Sequence, residues 1–121
     1  MVEELTVSAI RVAADRKSVE LDFERGDSLE THSLVAEYLR VESPSAEVQG
    51  HGPDQKKLVS GKADVTIEQI DPVGHYAIRI TFSDGHATGL YTWETLHDLA
   101  EDHAILWPAY LRALSAAGKS R

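Results

Sequence analysis

The chain contains no cysteine. That one absence removes disulfides, thiolate zinc sites, cysteine-ligated iron–sulfur clusters and cysteine nucleophiles. Positive charge is scarce as well. Twelve Lys and Arg stand against twenty Asp and Glu, a formal charge of -8, so the mean field repels nucleic acid and anionic lipid. A protein partner, or a neutral or cationic ligand, suits such a surface better. No apolar run reaches the length of a membrane span. The opening MVEELTVSAIRVAADRK sets two acids before any base and has no apolar signal core, so a cytoplasmic location is expected.

What the chain does have is the make-up of one globular unit. Its 121 residues are 42% hydrophobic and 26% charged, enough for a single core and too few for two domains. We expect one domain over 1–118 and a short tail over 119–121. From Thr6 to Ala13 and from Ser18 to Phe23, apolar and polar residues alternate around Asp15-Arg16-Lys17, which predicts an opening β-hairpin. Arg25-Gly26-Asp27 then turns into an extended piece, Ser28 to Thr31. The run HSLVAEYLRV predicts a short helix, with Ser33 as N-cap and Leu34, Tyr38 and Leu39 on one face.

Between Glu42 and Lys62 two prolines and three glycines interrupt any period, so a long loop with little regular structure is expected. Val65, Ile67 and Ile70 continue a strand up to a break at Pro72, and Val73-Gly74 begins a turn. Ala77 to Phe82 form the next strand, Asp84-Gly85 is a tight-turn signal, and Ala87 to Tyr91 can return as its partner. The period then becomes helical. Trp93, Leu96 and Leu99 share one face behind a Thr92 cap, and Ile105 to Ala117 form a second helix with Pro108 in its first turn or at a kink. Gly118 to Arg121 reads as a frayed basic tail. The fold class expected is α+β: a small antiparallel twisted β-sheet built from hairpins, one short inner helix and two C-terminal helices.

The segments YLRVESPSAEVQGHG and DPVGHYAIRITFSDGHATGLYTWETL, in this order, resemble the gamma-butyrobetaine hydroxylase-like N-terminal domain family, also called domain of unknown function 971. The likeness is to the stand-alone bacterial form. It rests on Leu39-Arg40 at a helix end, Pro72-Val73-Gly74, Ser83-Asp84-Gly85-His86, Gly89-Leu90-Tyr91 and Trp93. In the oxygenases of this family, the resemblance implies a zinc site made by a Cys-x-Cys-x-x-Cys cluster and one histidine. The histidine corresponds to His86, and the cysteine positions fall on Ser43, Ser45 and about Val48. Serine is a poor zinc ligand and valine is none, so that site does not carry over. Relatives fused to iron–sulfur ATPases imply a link to cluster or oxygenase systems, in which this chain would be an accessory.

The residues add their own constraints. None of His32, His51, His75, His86, His97 or His103 is followed two positions later by an acid, so the iron-binding His-x-Asp/Glu pair of an oxygenase is missing. Ser83, Asp84 and His86 lie too close along one turn for a catalytic relay. QGHGPDQKK lacks phosphate-loop spacing. Glu94-x-x-His97 has di-iron spacing in a single copy, which reads as part of a solvated acidic face. Three expectations remain. His86 is a turn histidine, or it joins His51 with Glu47 nearby in a weak zinc or iron site. Arg40 anchors the long loop through Glu42 or Glu47, or presents a cation to a ligand. Gly74, Gly85, Tyr91 and Trp93 are structural, the aromatics sealing the core at a strand-to-helix junction. The expected role is non-catalytic: an accessory or interaction module presenting the 42–62 loop and the Ser83–His86 turn to a protein partner. The alternative is a weak metal- or small-ligand-binding protein using His86 and that loop.

Overall fold

The computed structural model describes residues 3–121. Eight-residue strands β1 (Leu5–Val12), β2 (Ser18–Arg25) and β3 (Ser28–Val35) form an antiparallel meander in the order β1-β2-β3. Val19, Leu21 and Phe23 alternate inward from the central strand, as a sheet with one buried face requires. A second antiparallel sheet, in the order β4-β5-β6, comprises β4 (Ile67–Val73), β5 (Ala77–Phe82) and β6 (Leu90–Thr92). Ile67, Ile78, Ile80 and Phe82 from this sheet join Val19, Leu21, Phe23, Leu34 and Leu39 in one core. The α+β class expected from the sequence is the class observed, with the hairpins divided between two sheets.

Three details depart from the sequence reading. Ser33 caps nothing: β2 holds the chain extended to Val35 through the Ser18–Val35 pair, and helix α1 spans Ala36–Val41. The first helical amide, that of Ala36, donates to Lys17 O at 2.8 Å, so the β1–β2 turn does the work of a capping side chain. Pro72 does not break β4. It pairs with Ile78 on an edge strand, where its missing N–H faces away from the ladder. The two C-terminal helices are one, α3 (Trp93–Ala116), capped by Thr92, whose hydroxyl accepts from Thr95 N at 3.1 Å. No glycine or proline lies between Leu99 and Ile105 to end it, and Pro108 is carried inside.

The 42–62 segment is less irregular than its composition suggests. It holds a four-residue helix α2 (Ala46–Gln49) and a 3₁₀ turn (Pro53–Gln55), and Lys57 N donates to Val48 O at 2.7 Å. Leu58 and Val59 pack on a second small core of Val41, Tyr110 and Leu114 under α3. The hydroxyls of three buried tyrosines tie these layers together by donating to backbone carbonyls: Tyr38 to Leu99 O, Tyr91 to Leu39 O and Tyr110 to Val59 O, at 2.6–2.7 Å. The tail is also held, since Ser120 O accepts from Gly61 N at 3.1 Å. Among the described residues no helix is long and apolar enough to cross a membrane.

Candidate functional site

The end of α1, the start of α2 and the turn after β5 meet at His86. Gly85, at φ 90°, reverses the chain after Phe82, so that Gly85 N donates to Phe82 O and Phe82 N to His86 O, both at 2.9 Å. The imidazole is thereby turned inward, with its side chain 3% exposed. Its Nε2 lies 2.9 Å from Ser43 Oγ and 3.4 Å from Ser45 Oγ, and its Nδ1 faces Glu47 Oε2 at 3.3 Å. A neutral ring protonated on Nδ1 satisfies this arrangement, with the Ser43 hydroxyl donating to Nε2. Ser43 Oγ accepts from Ser45 N at 3.3 Å, and Gln49 Nε2 donates to Ser43 O at 2.9 Å. The loop can close this tightly because position 89 is glycine: a Cβ there would lie 2.5 Å from Ser43 Oγ.

Asp84 is the second centre. Its carboxylate accepts from His86 N at 3.1 Å and Arg40 Nε at 2.8 Å, and Lys62 Nζ lies 2.6 Å from it. Partial burial works against the charge, but the contacts from Lys62, the His86 amide and Arg40 win and hold the carboxyl well below the usual carboxylate range. Arg40 thus braces the turn after β5, not Glu42 or Glu47 as expected; Glu42 pairs with Lys56. Burial lowers the His86 pKa and the nearby Arg40 cation lowers it further, against an opposing pull from Glu47 and Asp84.

The remaining residues singled out in the sequence lie around this knot. Ser83 Oγ accepts from Thr66 N at 2.9 Å and ties the turn to the chain entering β4. Tyr91 is fully buried, and Trp93 packs at the core edge with Nε1 donating to His75 O at 2.8 Å. Gly74 turns the β4–β5 hairpin at φ 55°. His51 is exposed, with its N–H on Gln55 Oε1, and forms no three-residue ligand group with His86 and Glu47 among the described residues. Lys62 carries no motif and went unnoticed in the sequence, although it closes a long loop onto an acid; Gly89 was noted only within Gly89-Leu90-Tyr91, without its part in leaving room for a serine.

The Gamma-butyrobetaine hydroxylase-like, N-terminal family model matches residues 10–97, a span that takes in Arg40, Ser43, Ser45, Asp84 and His86. The chain belongs to this family. Two solution NMR structures are each 43% identical to it. One has a TM-score of 0.81 and the match covers 98% of this chain and 86% of that one; the other has a TM-score of 0.77, with 100% and 91% covered. A crystal structure of a protein with unknown function from Acidithiobacillus ferrooxidans, which belongs to the domain of unknown function 971 family, is 38% identical with a TM-score of 0.62, covering 78% of this chain and 92% of that one. No curated protein matches the chain.

Membership makes the zinc question concrete for this gamma-butyrobetaine hydroxylase-like domain. Ser43 and Ser45, at two of the positions where the resemblance sets cysteines, do converge on His86 Nε2. The donors do not fit zinc. Two neutral hydroxyls replace two thiolates, Val48 offers no ligand atom, and the Arg40 cation already acts on the ring. The hydroxyls hydrogen-bond the histidine directly instead.

Proposed function

We propose that this domain is a non-catalytic accessory module that docks a protein partner on the face formed by its 42–62 segment and α3. One observation carries the reading. Val41, Leu58, Val59, Leu106 and Tyr110 line an apolar hollow of about 250 Å³, with the exposed Lys57 and the ion pair of Lys56 and Glu42 at its rim. An apolar floor of this kind, rimmed by the pair of Lys56 and Glu42 and by Lys57, suits a polypeptide that offers an apolar anchor with a polar flank. The bracing of the same segment by Arg40, Asp84 and Lys62 supports this role, because a face held in one shape loses less entropy when it docks. The family's link to hydroxylase and iron–sulfur systems suggests where that partner would act.

Catalysis has less support. Ser43, His86 and Glu47 follow one another in relay order, but Ser43 is fully buried and offers no substrate access to its hydroxyl. The docking reading is tested by affinity capture from cell extract with the intact chain, Leu58→Asp and Lys57→Glu. Loss of the same captured protein with both variants supports it. Equal capture by the variants, or no captured protein with the intact chain, overturns it.

A further inference from the structure

A second group of ionisable side chains gathers where α3 crosses the first sheet. Period-two geometry puts Glu30 and His32 on one face of β3, and α3 brings His97 and, one turn on, Glu101 against that face. His97 Nε2 lies 3.2 Å from Glu30 Oε2 and 3.5 Å from Glu101 Oε1. Ligand atoms of Glu30, His97 and Glu101 all fall within 4.8 Å of one another, and no other group of three or more His, Asp or Glu does so among the described residues. His32 stands behind Glu30, its Nε2 3.7 Å from Oε1, buried and without a hydrogen-bond partner among the described residues. Both imidazoles lie edge-on to Phe23, with centroids 5.7 and 5.2 Å away, which fixes their planes against an apolar wall.

Two carboxylates on one imidazole nitrogen are not self-sufficient. A single Nε2–H serves one oxygen well, and the second carboxylate is left facing a like charge. A divalent cation resolves the conflict, because it accepts the nitrogen lone pair and both anions together. Zinc bonds to His nitrogen and carboxylate oxygen run about 2.0–2.2 Å, and tetrahedral angles then set ligand atoms about 3.3–3.5 Å apart. The spacings of 3.2 and 3.5 Å are already close to that. A polar hollow of about 460 Å³, lined by Glu30 and His97 and also by Arg25, opens on one side of the group, and the half-exposed Glu101 carboxylate faces solvent on its own.

We propose that Glu30, His97 and Glu101 form a zinc site, with His32 backing the Glu30 carboxylate and the fourth position left to water. It shares no residue with the His86 knot. Metal binding here displaces the Nε2 proton of His97, so the ring binds as neutral imidazole protonated on Nδ1. The sequence reading set Glu94-x-x-His97 aside as part of a solvated acidic face; the acids that meet His97 are Glu101, four residues later on the helix, and Glu30, 67 residues earlier on a strand.

Isothermal titration of the intact chain with zinc chloride, and visible absorption with cobalt chloride, test this. One ion per chain and a tetrahedral cobalt spectrum are expected. His97→Ala and Glu101→Gln should each weaken zinc at least tenfold, while His86→Ala and His51→Ala leave the affinity unchanged. Glu101 is half exposed, so Glu101→Gln keeps the fold and decides the matter should His97→Ala not fold. The site is overturned by no saturable binding, by full affinity in Glu101→Gln, or by loss of binding in His86→Ala.

Discussion

Ser43 shows how far a single side chain can be read. Its hydroxyl is the group that satisfies His86 Nε2, and both residues are buried. Ser43→Ala leaves a ring nitrogen without its partner and should cost about 1–3 kcal/mol in urea unfolding. Ser43→Cys, which keeps a weak donor, should cost less. The ring also sets a pH dependence. Burial and then Arg40 hold the folded His86 below its ordinary value of 6.5, so the unfolded chain takes up the proton at higher pH than the folded one. This contribution is complete above about pH 6.5 and falls as pH drops below it, until the folded ring itself protonates. Thermal unfolding midpoints across that range should decline on acidification, and His86→Gln should flatten the decline. An equal slope in the variant would assign the effect elsewhere. His86 was legible in the sequence because it stands in a turn signature with a family counterpart. Its hydroxyl partners were legible only as positions, and the Arg40–Asp84 pair not at all, because charge complementarity 44 residues apart leaves no local pattern.

At the scale of elements, the sequence reading succeeded where the cause is local. The alternation in β1 and β2, the β5 strand and the Thr92 cap needed nothing from the rest of the chain. It failed where a distant partner decides. β3 stays extended past Ser33 because β2 pairs with it to the end, and only Leu34 of its eight residues is buried, so no hydrophobic period announces it. The join between the sheets was equally hidden. Arg16 sits at φ 61°, a conformation costly for a non-glycine residue, and its guanidinium donates to the carbonyls of Ile67 and Glu68 while its own carbonyl accepts from Ile67 N at 2.8 Å. The β1–β2 turn thus closes the open edge of β4. Arg16→Ala should destabilise by about 1–2 kcal/mol in urea unfolding. Arg16→Gly should cost less than Arg16→Ala, because it relaxes the backbone. Pro108 argues the other way. It is exposed inside α3, so Pro108→Ala loses little packing and restores an amide donor, and the unfolding midpoint should rise by an amount worth about 1–3 kcal/mol.

The whole molecule is closed by a contact between positions 84 residues apart. Arg121 crosses back to α1 and donates through Nε and a terminal guanidinium nitrogen to the Glu37 carboxylate at 2.7–3.2 Å, while its guanidinium lies 5.6 Å from the Trp107 ring centroid. The two partners are unequal. Arg121 is half exposed, whereas the Glu37 side chain is only 5% exposed, so the pair matters chiefly for what happens to the carboxylate without it. Solvent screening at the arginine reduces the attraction, but Arg121→Ala strands a buried anion. A loss of about 1–2 kcal/mol is expected, and Arg121→Lys, which keeps the charge without the fork, should recover part of it. Because one core draws residues from both sheets, α1 and α3, the loss should shift a single cooperative transition and not release the tail alone. Far-ultraviolet circular dichroism and tryptophan fluorescence, the latter read for Trp107 in a Trp93→Phe background because the chain has two tryptophans, followed together through urea unfolding, decide between these outcomes. Coincident curves displaced equally by Arg121→Ala show that the end of the chain is part of the cooperative unit; a fluorescence change that precedes the loss of secondary structure shows that it is only laid on the surface.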